Sequence, residues 1–349
     1  MMRYIFFTSA LCTGLMLSWP ISGIADDGEV NFNTVRVDGR NYVNLADFIR
    51  YYRFSPTFQQ KDLNIKLDSK YRKLKFTLNS RECFFNGVRL WLNDPLLEYH
   101  HSILISEMDV RKTLHPILRP WSVPRLRIKT IMIDPGHGGE DKGTLGYRGT
   151  YEKRLTLDLA ARVEKCLQKT GFRTLMTRRR DTYVSLEDRS QLANSSDADL
   201  FLSLHFNSAK PTPQPEGIET YCLTPVGLSS TDSIRRRWGI GDFGAEPGNR
   251  FDSQNMLLAY LVQQKLLKAI PEAEDRGIKR ARFFVIKTTE QPAILVESGF
   301  LSNPAEEKRI LTISYREKLA AAIAEGIKYF TVIMNGTSVN KKPRVKIEK

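Results

Sequence analysis

Cysteine is scarce in this chain of 349 residues, which contains only four. Cys12 lies in an apolar N-terminal segment, and Cys83, Cys166 and Cys222 are far apart in the sequence. An odd and widely spaced set excludes a disulfide framework, because at most one bridge could form. No cysteine pair has the spacing of a zinc or redox motif, so we interpret these three cysteines as packing residues.

Long apolar runs are also scarce, and the one at residues 4–19 follows Arg3 and precedes small residues at 23–25. This order is typical of a cleaved secretory signal, and the run is shorter than the roughly 20 residues that cross a bilayer. An uncleaved anchor is the alternative, whereas bulky Leu11 disfavours a lipoprotein cut before Cys12. We therefore predict a signal peptide over residues 1–25, export across the inner membrane to the periplasm or cell envelope, and no transmembrane segment after cleavage.

Acidic residues are fewer than basic ones, since 39 aspartates and glutamates stand against 53 lysines and arginines. The formal net charge of +14 favours an anionic partner, and nucleic acid, anionic lipid and bacterial cell wall all qualify. A solvated basic surface without such a partner explains the charge equally well. Charge alone leaves the partner open.

Residues 30–120 are predicted to form a small α+β accessory domain. A helix is expected over residues 45–54, and short alternating runs predict strands at 41–44, 63–67, 73–78, 82–85 and 88–92. The order of these elements resembles the copper-amine-oxidase N-terminal-like domain. Copper is not expected here, because His100, His101 and His115 come without a carboxylate or thiol at ligand spacing.

Strands alternate with amphipathic helices over residues 127–332. This alternation predicts an α/β domain with a mostly parallel sheet that helices cover on both faces. The predicted helices and strands include a helix at 152–169, a helix at 186–194, a strand at 283–286 and a strand at 293–296. The segment 224–250 is a candidate for a flexible loop over the site, and the basic residues 335–349 are predicted to form a flexible tail.

Two histidines follow apolar strands in this second domain. Pro135 and three glycines stop the strand that ends at residue 133, so His137 is expected on a tight loop at its carboxyl end. His205 follows the apolar run 200–204, and the domain has no other histidine. Open α/β sheets place their chemistry at such strand ends. A shared metal site is favoured over two core histidines, and zinc commonly takes two histidines and one carboxylate.

Two glutamates are candidates for the remaining parts of such a site. Glu152 opens a helix after the glycine-rich loop 143–149, although the helix dipole alone often accounts for an acid there. Glu297 ends the apolar run 293–296, where an ionised carboxylate is costly unless a cation, metal or donor compensates it. Beside zinc, such an acid can take a proton from water and return it to a leaving nitrogen. These residues indicate a zinc-assisted amide hydrolase.

Several motifs occur in the order and with the spacing of a known family. They are IDPGHGG at 133–139, Asp141, Gly143, Glu152, Arg189, Asn194, SLHFN at 203–207, GIETY at 217–221, Asn255, DRG at 275–277 and PAILVESGFLSN at 292–303. The set resembles the zinc-dependent N-acetylmuramoyl-L-alanine amidases of the amidase-3 type over residues 129–330. The resemblance implies that His137, Glu152 and His205 bind one zinc ion and that Glu297 is the catalytic acid and base.

The resemblance also implies a substrate and partners. The expected reaction is hydrolysis of the amide between the lactyl group of N-acetylmuramic acid and the L-alanine of the stem peptide. Peptidoglycan rather than nucleic acid then becomes the expected partner, with envelope-associated activator or scaffold proteins as further candidates. Two alternatives stay open: another zinc amidohydrolase or carboxypeptidase acting on secreted peptides, and a non-catalytic module that binds the cell wall.

Overall fold

The computed structural model describes residues 31–59, 63–209, 215–231 and 244–336. The predicted signal peptide and nearly all of the predicted tail lie outside these residues, as does the middle of the segment 224–250. Among the helices that are described, none combines the length and the apolar character needed to cross a bilayer.

The N-terminal part consists mainly of antiparallel strands. They are β1 (Thr34–Val37), β2 (Arg40–Asn44), β3 (Ser55–Gln59), β4 (Asn64–Asp68), β5 (Lys73–Thr77), β6 (Glu82–Phe85), β7 (Val88–Trp91), β8 (Leu97–Tyr99) and β9 (Ser102–Ser106). Helix α1 (Leu45–Tyr52) begins after Asn44, whose side chain accepts a hydrogen bond from the Ala46 N–H. Short helical segments follow β9, namely α2 (Glu107–Asp109), a π-helical turn (Val110–Leu114), α3 (His115–Leu118) and a 3₁₀ turn (Pro120–Ser122).

The C-terminal part alternates strands and helices, as predicted. Its strands are β10 (Thr130–Pro135), β11 (Arg173–Met176), β12 (Leu200–Asn207), β13 (Ile218–Leu223), β14 (Asp275–Ala281) and β15 (Ala293–Phe300). Its helices are α4 (Glu152–Lys169), α5 (Leu186–Asn194), α6 (Asp252–Ala269), α7 (Phe284–Lys287), α8 (Pro304–Ile310) and α9 (Ile313–Met334), and a 3₁₀ turn (Pro247–Phe251) precedes α6.

One strand prediction in this part is wrong, because residues 284–287 form the short helix α7 instead of a strand. Its apolar residues Val285 and Ile286 are buried against one face of the sheet with Tyr221 and Leu295. A short apolar run fits a buried helical turn as well as a strand, so periodicity could not separate the two. The strand of this region is β14, which carries the Asp275-Arg276-Gly277 motif.

Strand pairing confirms the predicted fold class. The strands run in the order β11-β10-β12-β15-β13-β14, with parallel pairs except where β13 lies antiparallel to β15. Alternate residues point to opposite faces: Leu202 and Leu204 pack on the side of α4, α6 and α9, whereas Phe201 packs on the side of α5 and α7. Helices therefore cover both faces of a mostly parallel sheet.

The sheet does not end at the catalytic part. β14 pairs in parallel with β7 through Ile278 and Leu90, and the antiparallel strands β6, β5, β4 and β3 follow. Eleven strands of the described chain thus form one sheet, while β1, β2, β9 and β8 form a second, smaller one. Phe85 packs against Tyr260 of α6 with ring centroids 5.3 Å apart. The N-terminal part is joined to the rest by strand pairing and by a shared core.

The described histidines and cysteines outside the candidate site are either exposed in a turn, hydrogen-bonded, or packed as free thiols. His100 and His101 are exposed in the turn between β8 and β9. His115 is buried, with Nδ1 2.7 Å from the Tyr52 hydroxyl and Nε2 2.9 Å from that of Ser122, and burial lowers its pKa to about 4. The three described cysteines are free and wholly or partly buried, as expected for packing residues.

Candidate metal centre and active site

The carboxyl ends of β10, β12 and β15 meet at one edge of the sheet. The parallel register sets Pro135 beside Leu204, and His205 beside Glu297. His137 lies two residues beyond β10. Both histidines and Glu297 therefore lie close together, at the strand ends where the sequence predicts them.

His137, Glu152 and His205 converge there into a compact cluster. Nε2 of His137 is 3.1 Å from Oε2 of Glu152, and Nδ1 of His205 is 3.0 Å from Oε1 of the same carboxylate. The imidazole rings are nearly perpendicular, with centroids 4.9 Å apart. One possible ligand atom from each residue lies within 4.8 Å of the others. The three side chains can therefore offer ligands to one divalent cation.

Glycine makes this close approach possible. A Cβ atom at Gly143, where φ is +64°, would lie 2.6 Å from Cδ2 of His137 and 2.7 Å from Oε2 of Glu152. A Cβ atom at Gly136 would lie 2.2 Å from Cε1 of His205. Any larger residue would displace a side chain of the cluster, because real Cβ contacts are not this short.

His137 is oriented by the chain around it. Its backbone has a φ of 61°, which L residues rarely adopt, and its carbonyl accepts a hydrogen bond from Arg189 Nη2 at 2.8 Å. Its Nδ1 lies 2.8 Å from Asp141 Oδ2, while Asp141 Oδ1 accepts the Gly143 N–H at 3.0 Å. Asp141 thereby leaves Nε2 of His137 to face Glu152.

Arg189 belongs to a buried polar network beneath the loop. Its Nη1 donates to Asp134 Oδ1 at 2.6 Å, and Ser203 donates to the other oxygen of Asp134 at 2.8 Å. Both Arg189 and Asp134 are nearly inaccessible to solvent, so the loss of either would leave an unpaired buried charge. Arg189 is one of the family motif residues, but the sequence does not predict its structural role in supporting the His137 loop.

Glu152 is a buried carboxylate with every oxygen engaged. Besides the two imidazoles, Oε2 accepts the Thr144 N–H at 2.9 Å and Oε1 accepts the Phe206 N–H at 3.1 Å. Burial by itself raises the pKa of Glu152, but hydrogen bonds and charge from His137 and His205 outweigh it and lower the pKa. The pKa of His137 is raised, because its bonds to Glu152 and Asp141 outweigh the effect of burial. Glu152 is therefore ionised.

Glu297 is only partly buried as a residue, but its inaccessible Oε2 lies in the opposite environment. Among the described residues, its Oε2 has no hydrogen-bond partner. Burial raises the pKa of Glu297 well above its usual value, the negative charges of Glu152 and Glu219 raise it further, and Lys279 opposes them. Glu297 can therefore hold a proton beside the cluster at a pH where Glu152 cannot.

Glu219 extends the site along the sheet. It pairs in register with Glu297 across β13 and β15. Its Oε1 accepts hydrogen bonds from Asn207 Nδ2 at 2.7 Å and from the Tyr221 hydroxyl at 2.8 Å, and a cavity of about 450 Å³ opens beside it. Sequence reasoning missed this residue, because nothing in the spacing of the GIETY and DRG motifs indicated that they meet.

Comparison with known proteins gives the following matches. Residues 131–329 match the family model described as N-acetylmuramoyl-L-alanine amidase. N-acetylmuramoyl-L-alanine amidase AmiA of Escherichia coli (strain K12) is 32% identical over 257 residues, covering 68% of this chain and 89% of the relative. N-acetylmuramoyl-L-alanine amidase LytC of Bacillus subtilis (strain 168) is 35% identical over 203 residues, covering 58% of this chain and 36% of the relative. The crystal structure of the N-acetylmuramoyl-L-alanine amidase from Clostridium difficile 630 is 33% identical with a TM-score of 0.48, covering 59% and 97% of the two chains.

Proposed function

The chain belongs to the family of N-acetylmuramoyl-L-alanine amidases, and we propose that His137, Glu152 and His205 form its zinc centre. The enzyme hydrolyses the amide bond between N-acetylmuramic acid and the L-alanine of the peptidoglycan stem peptide. The convergence of the three side chains is the observation that carries the zinc proposal. Two alternatives lose support, because the matched family is that of N-acetylmuramoyl-L-alanine amidases. They are another zinc amidohydrolase or carboxypeptidase acting on secreted peptides, and a non-catalytic module that binds the cell wall.

The donor set fits zinc. Two imidazole nitrogens and one carboxylate oxygen would hold the ion, and three protein ligands of these kinds are typical of catalytic zinc sites. The carboxylate of Asp141 lies on the far nitrogen of His137, and such partners orient metal-binding histidines. Cysteine does not take part, because the described cysteines pack elsewhere.

Glu297 is proposed as the catalytic acid and base. Zinc, when bound, supplies Lewis acidity and lowers the pKa of water to about 7. Glu297 then accepts a proton from the attacking water and donates it to the nitrogen of L-alanine as the amide bond breaks. The raised pKa of Glu297, caused first by burial and then by neighbouring carboxylates, suits a group that holds this proton between the two steps.

Location and organisation complete the proposal. Residues 1–25 are proposed to direct export across the inner membrane. The excess of basic over acidic residues, which gives the full sequence a net charge of +14, lies almost entirely beyond residue 25 and attracts the mature enzyme to an anionic envelope. Residues 30–120 are proposed as an accessory domain, 127–332 as the zinc amidase domain and 335–349 as a basic tail. Envelope-associated activators or scaffolds are candidate partners.

Metal removal tests the proposed centre. The purified enzyme should release free stem peptide from muropeptides, lose this activity after treatment with a chelator, and regain it with one equivalent of Zn²⁺. Mg²⁺ is the matched control, since it prefers oxygen ligands and should restore nothing. Stem-peptide release and metal content are measured on the same samples. Full activity in chelator-treated, metal-free protein would refute the zinc proposal.

A further inference from the structure

The cavity beside Glu219 is built from both parts of the chain. Arg81, Arg89 and Trp91 of the N-terminal part line one side, and residues of β13 and β14, including Arg276 and Lys279, line the other. The family match begins at residue 131, so it does not include the N-terminal side.

We propose that this cavity binds the carboxylate-bearing stem peptide on the leaving-group side of the scissile amide, with β7 as one wall. The N-terminal part would then complete the substrate cleft of the enzyme. This inference rests on the proposed function, because it places the peptide relative to Glu297.

Strand pairing sets the distance from Glu297 to this wall. Glu297 pairs with Glu219, Glu219 pairs with Gly277, and the next residue, Ile278, pairs with Leu90 of β7. Neighbouring strands lie about 4.8 Å apart, so β7 is about 14 Å from β15. An extended peptide advances about 3.5 Å per residue, so about four residues span this distance. A stem peptide whose first amide lies at Glu297 can reach Arg89.

Charge selects the peptide rather than the glycan. Four cationic side chains and two carboxylates line the cavity, namely Arg81, Arg89, Arg276, Lys279, Glu219 and Glu274. Stem peptides carry free carboxylates, whereas the lactyl carboxyl of the sugar is consumed in the amide bond. Guanidinium groups bind carboxylates through paired hydrogen bonds, which favours the peptide as the occupant.

The two sides of the cavity are held together by direct contacts. The Arg89 N–H donates to Asp275 Oδ2 at 2.6 Å, and Trp91 Nε1 donates to the Arg276 carbonyl at 2.9 Å. A Cβ atom at Gly277 would lie 2.8 Å from the Arg89 carbonyl oxygen, so glycine permits this close approach. The N-terminal wall is therefore fixed relative to the catalytic strands and is preorganised for binding.

The cations on the far side of the cavity are fixed in place by Glu219. Its Oε2 is 2.9 Å from Arg276 Nε and 2.7 Å from Lys279 Nζ. The Arg276 guanidinium also lies 4.7 Å from the centre of the Phe300 ring. A carboxylate entering the cavity meets cations that are already positioned.

Arg89 is the most informative residue to change. Its side chain is about one quarter exposed, its Nε is 3.0 Å from Glu82 Oε1, and its Nη1 is 3.8 Å from Glu274 Oε1, beyond hydrogen-bond distance. Arg89→Gln removes the charge, Arg89→Lys keeps it, and Arg50→Gln removes an exposed arginine of α1 as the matched control.

Binding of the released product tests the inference without requiring hydrolysis. Calorimetry on the full-length protein compares a synthetic stem peptide that has free carboxylates with the same peptide in amidated form. Arg89→Gln should weaken binding of the free-acid peptide about ten-fold, with partial recovery in Arg89→Lys and no change in Arg50→Gln. The amidated peptide should bind equally weakly to all variants.

Three results would overturn the inference. They are unchanged affinity in Arg89→Gln, an equal loss for both peptides, and failure of the wild-type protein to bind the free-acid peptide. Arg89-dependent binding of a soluble glycerol-phosphate polymer instead would reassign the cavity to a phosphate ligand. These outcomes can be interpreted even if the metal-removal experiment refutes the zinc proposal, because product binding is measured separately from turnover. Thermal unfolding of Arg89→Gln shows whether weaker binding comes from loss of the Arg89 side-chain contact or from unfolding of the variant.

Discussion

Glu152, buried at the start of α4, and Glu297, partly buried within β15, have carboxyl groups in opposite electrostatic environments. Glu152 receives hydrogen bonds from two backbone N–H groups and faces two imidazoles, so its pKa falls. Glu297 leaves one oxygen without a partner among the described residues, and burial raises its pKa. Hydrogen-bond donors around Glu152, and the burial of a Glu297 oxygen that has no partner among the described residues, shift the two pKa values in opposite directions.

This contrast matches the two tasks that a zinc hydrolase needs. A ligand must stay ionised, whereas an acid and base must gain and lose a proton during one turnover. Enzymes commonly obtain both from one residue type by pushing two pKa values apart. The same substitution at the two positions should therefore have different consequences.

Glu152→Gln should have the largest effect. The amide replaces one acceptor oxygen with a donor inside a ring of donors, so the variant should lose its zinc and release no measurable stem peptide. Metal content by atomic absorption and muropeptide digestion are the measurements. Glu187→Gln, an exposed first-turn glutamate of α5, is the matched control and should keep both. One zinc per chain in Glu152→Gln would remove Glu152 from the ligand set.

Glu297→Gln should have the next largest effect, on turnover alone. Loss of a general acid and base typically lowers kcat by about 10²–10⁴-fold. Zinc content should match the wild type, and the melting temperature should not fall, because a neutral amide replaces a carboxyl with an unpartnered oxygen. Kinetics on soluble muropeptide and thermal unfolding are the measurements. Near-full activity in this variant would assign the proton transfers to another group.

Both glutamates could be located from sequence because their strands and helices have clear local signals. Apolar runs end directly before His205 and Glu297 and four residues before His137, and parallel strands bring such ends together. Helix α4 occupies the predicted residues 152–169, so Glu152 was expected in its first turn. Local patterns and one general rule of α/β sheets were sufficient for these four residues, whose chemical roles remain predictions.

The cavity beside Glu219 could not be predicted in the same way. Its N-terminal wall depends on the pairing of Ile278 with Leu90, which lie far apart in the chain. The alternation of apolar and polar residues predicts a strand, but it does not predict which other strand pairs with it. The sequence predicts an accessory domain at residues 30–120 and a second domain at 127–332. It does not indicate that one sheet continues from the first part into the second.

Glu306, another buried glutamate, sharpens the contrast with the smallest expected effect. Its Oε2 accepts hydrogen bonds from the N–H groups of Gly217 at 3.0 Å and Phe300 at 2.8 Å. Burial nevertheless raises the pKa of Glu306 to about 7, because its effect exceeds the lowering by these hydrogen bonds. Its folded-state pKa exceeds the usual value of 4.5, so the native state holds the proton more tightly than the unfolded state. The resulting stabilisation is complete below pH 4.5 and is lost as the pH rises through 7.

The glutamine side chain of Glu306→Gln cannot titrate. The free energy of unfolding of this variant should therefore increase relative to that of the wild type as the pH rises from 4.5 to about 7. The gain should reach at most about 3 kcal/mol, since each pKa unit corresponds to about 1.4 kcal/mol. Urea unfolding at a series of pH values measures the difference, and Glu317→Gln on the surface of α9 controls for general charge effects. Parallel profiles for the wild type and Glu306→Gln would show that two backbone donors suffice to keep a buried carboxylate ionised, which would weaken the same explanation for Glu297.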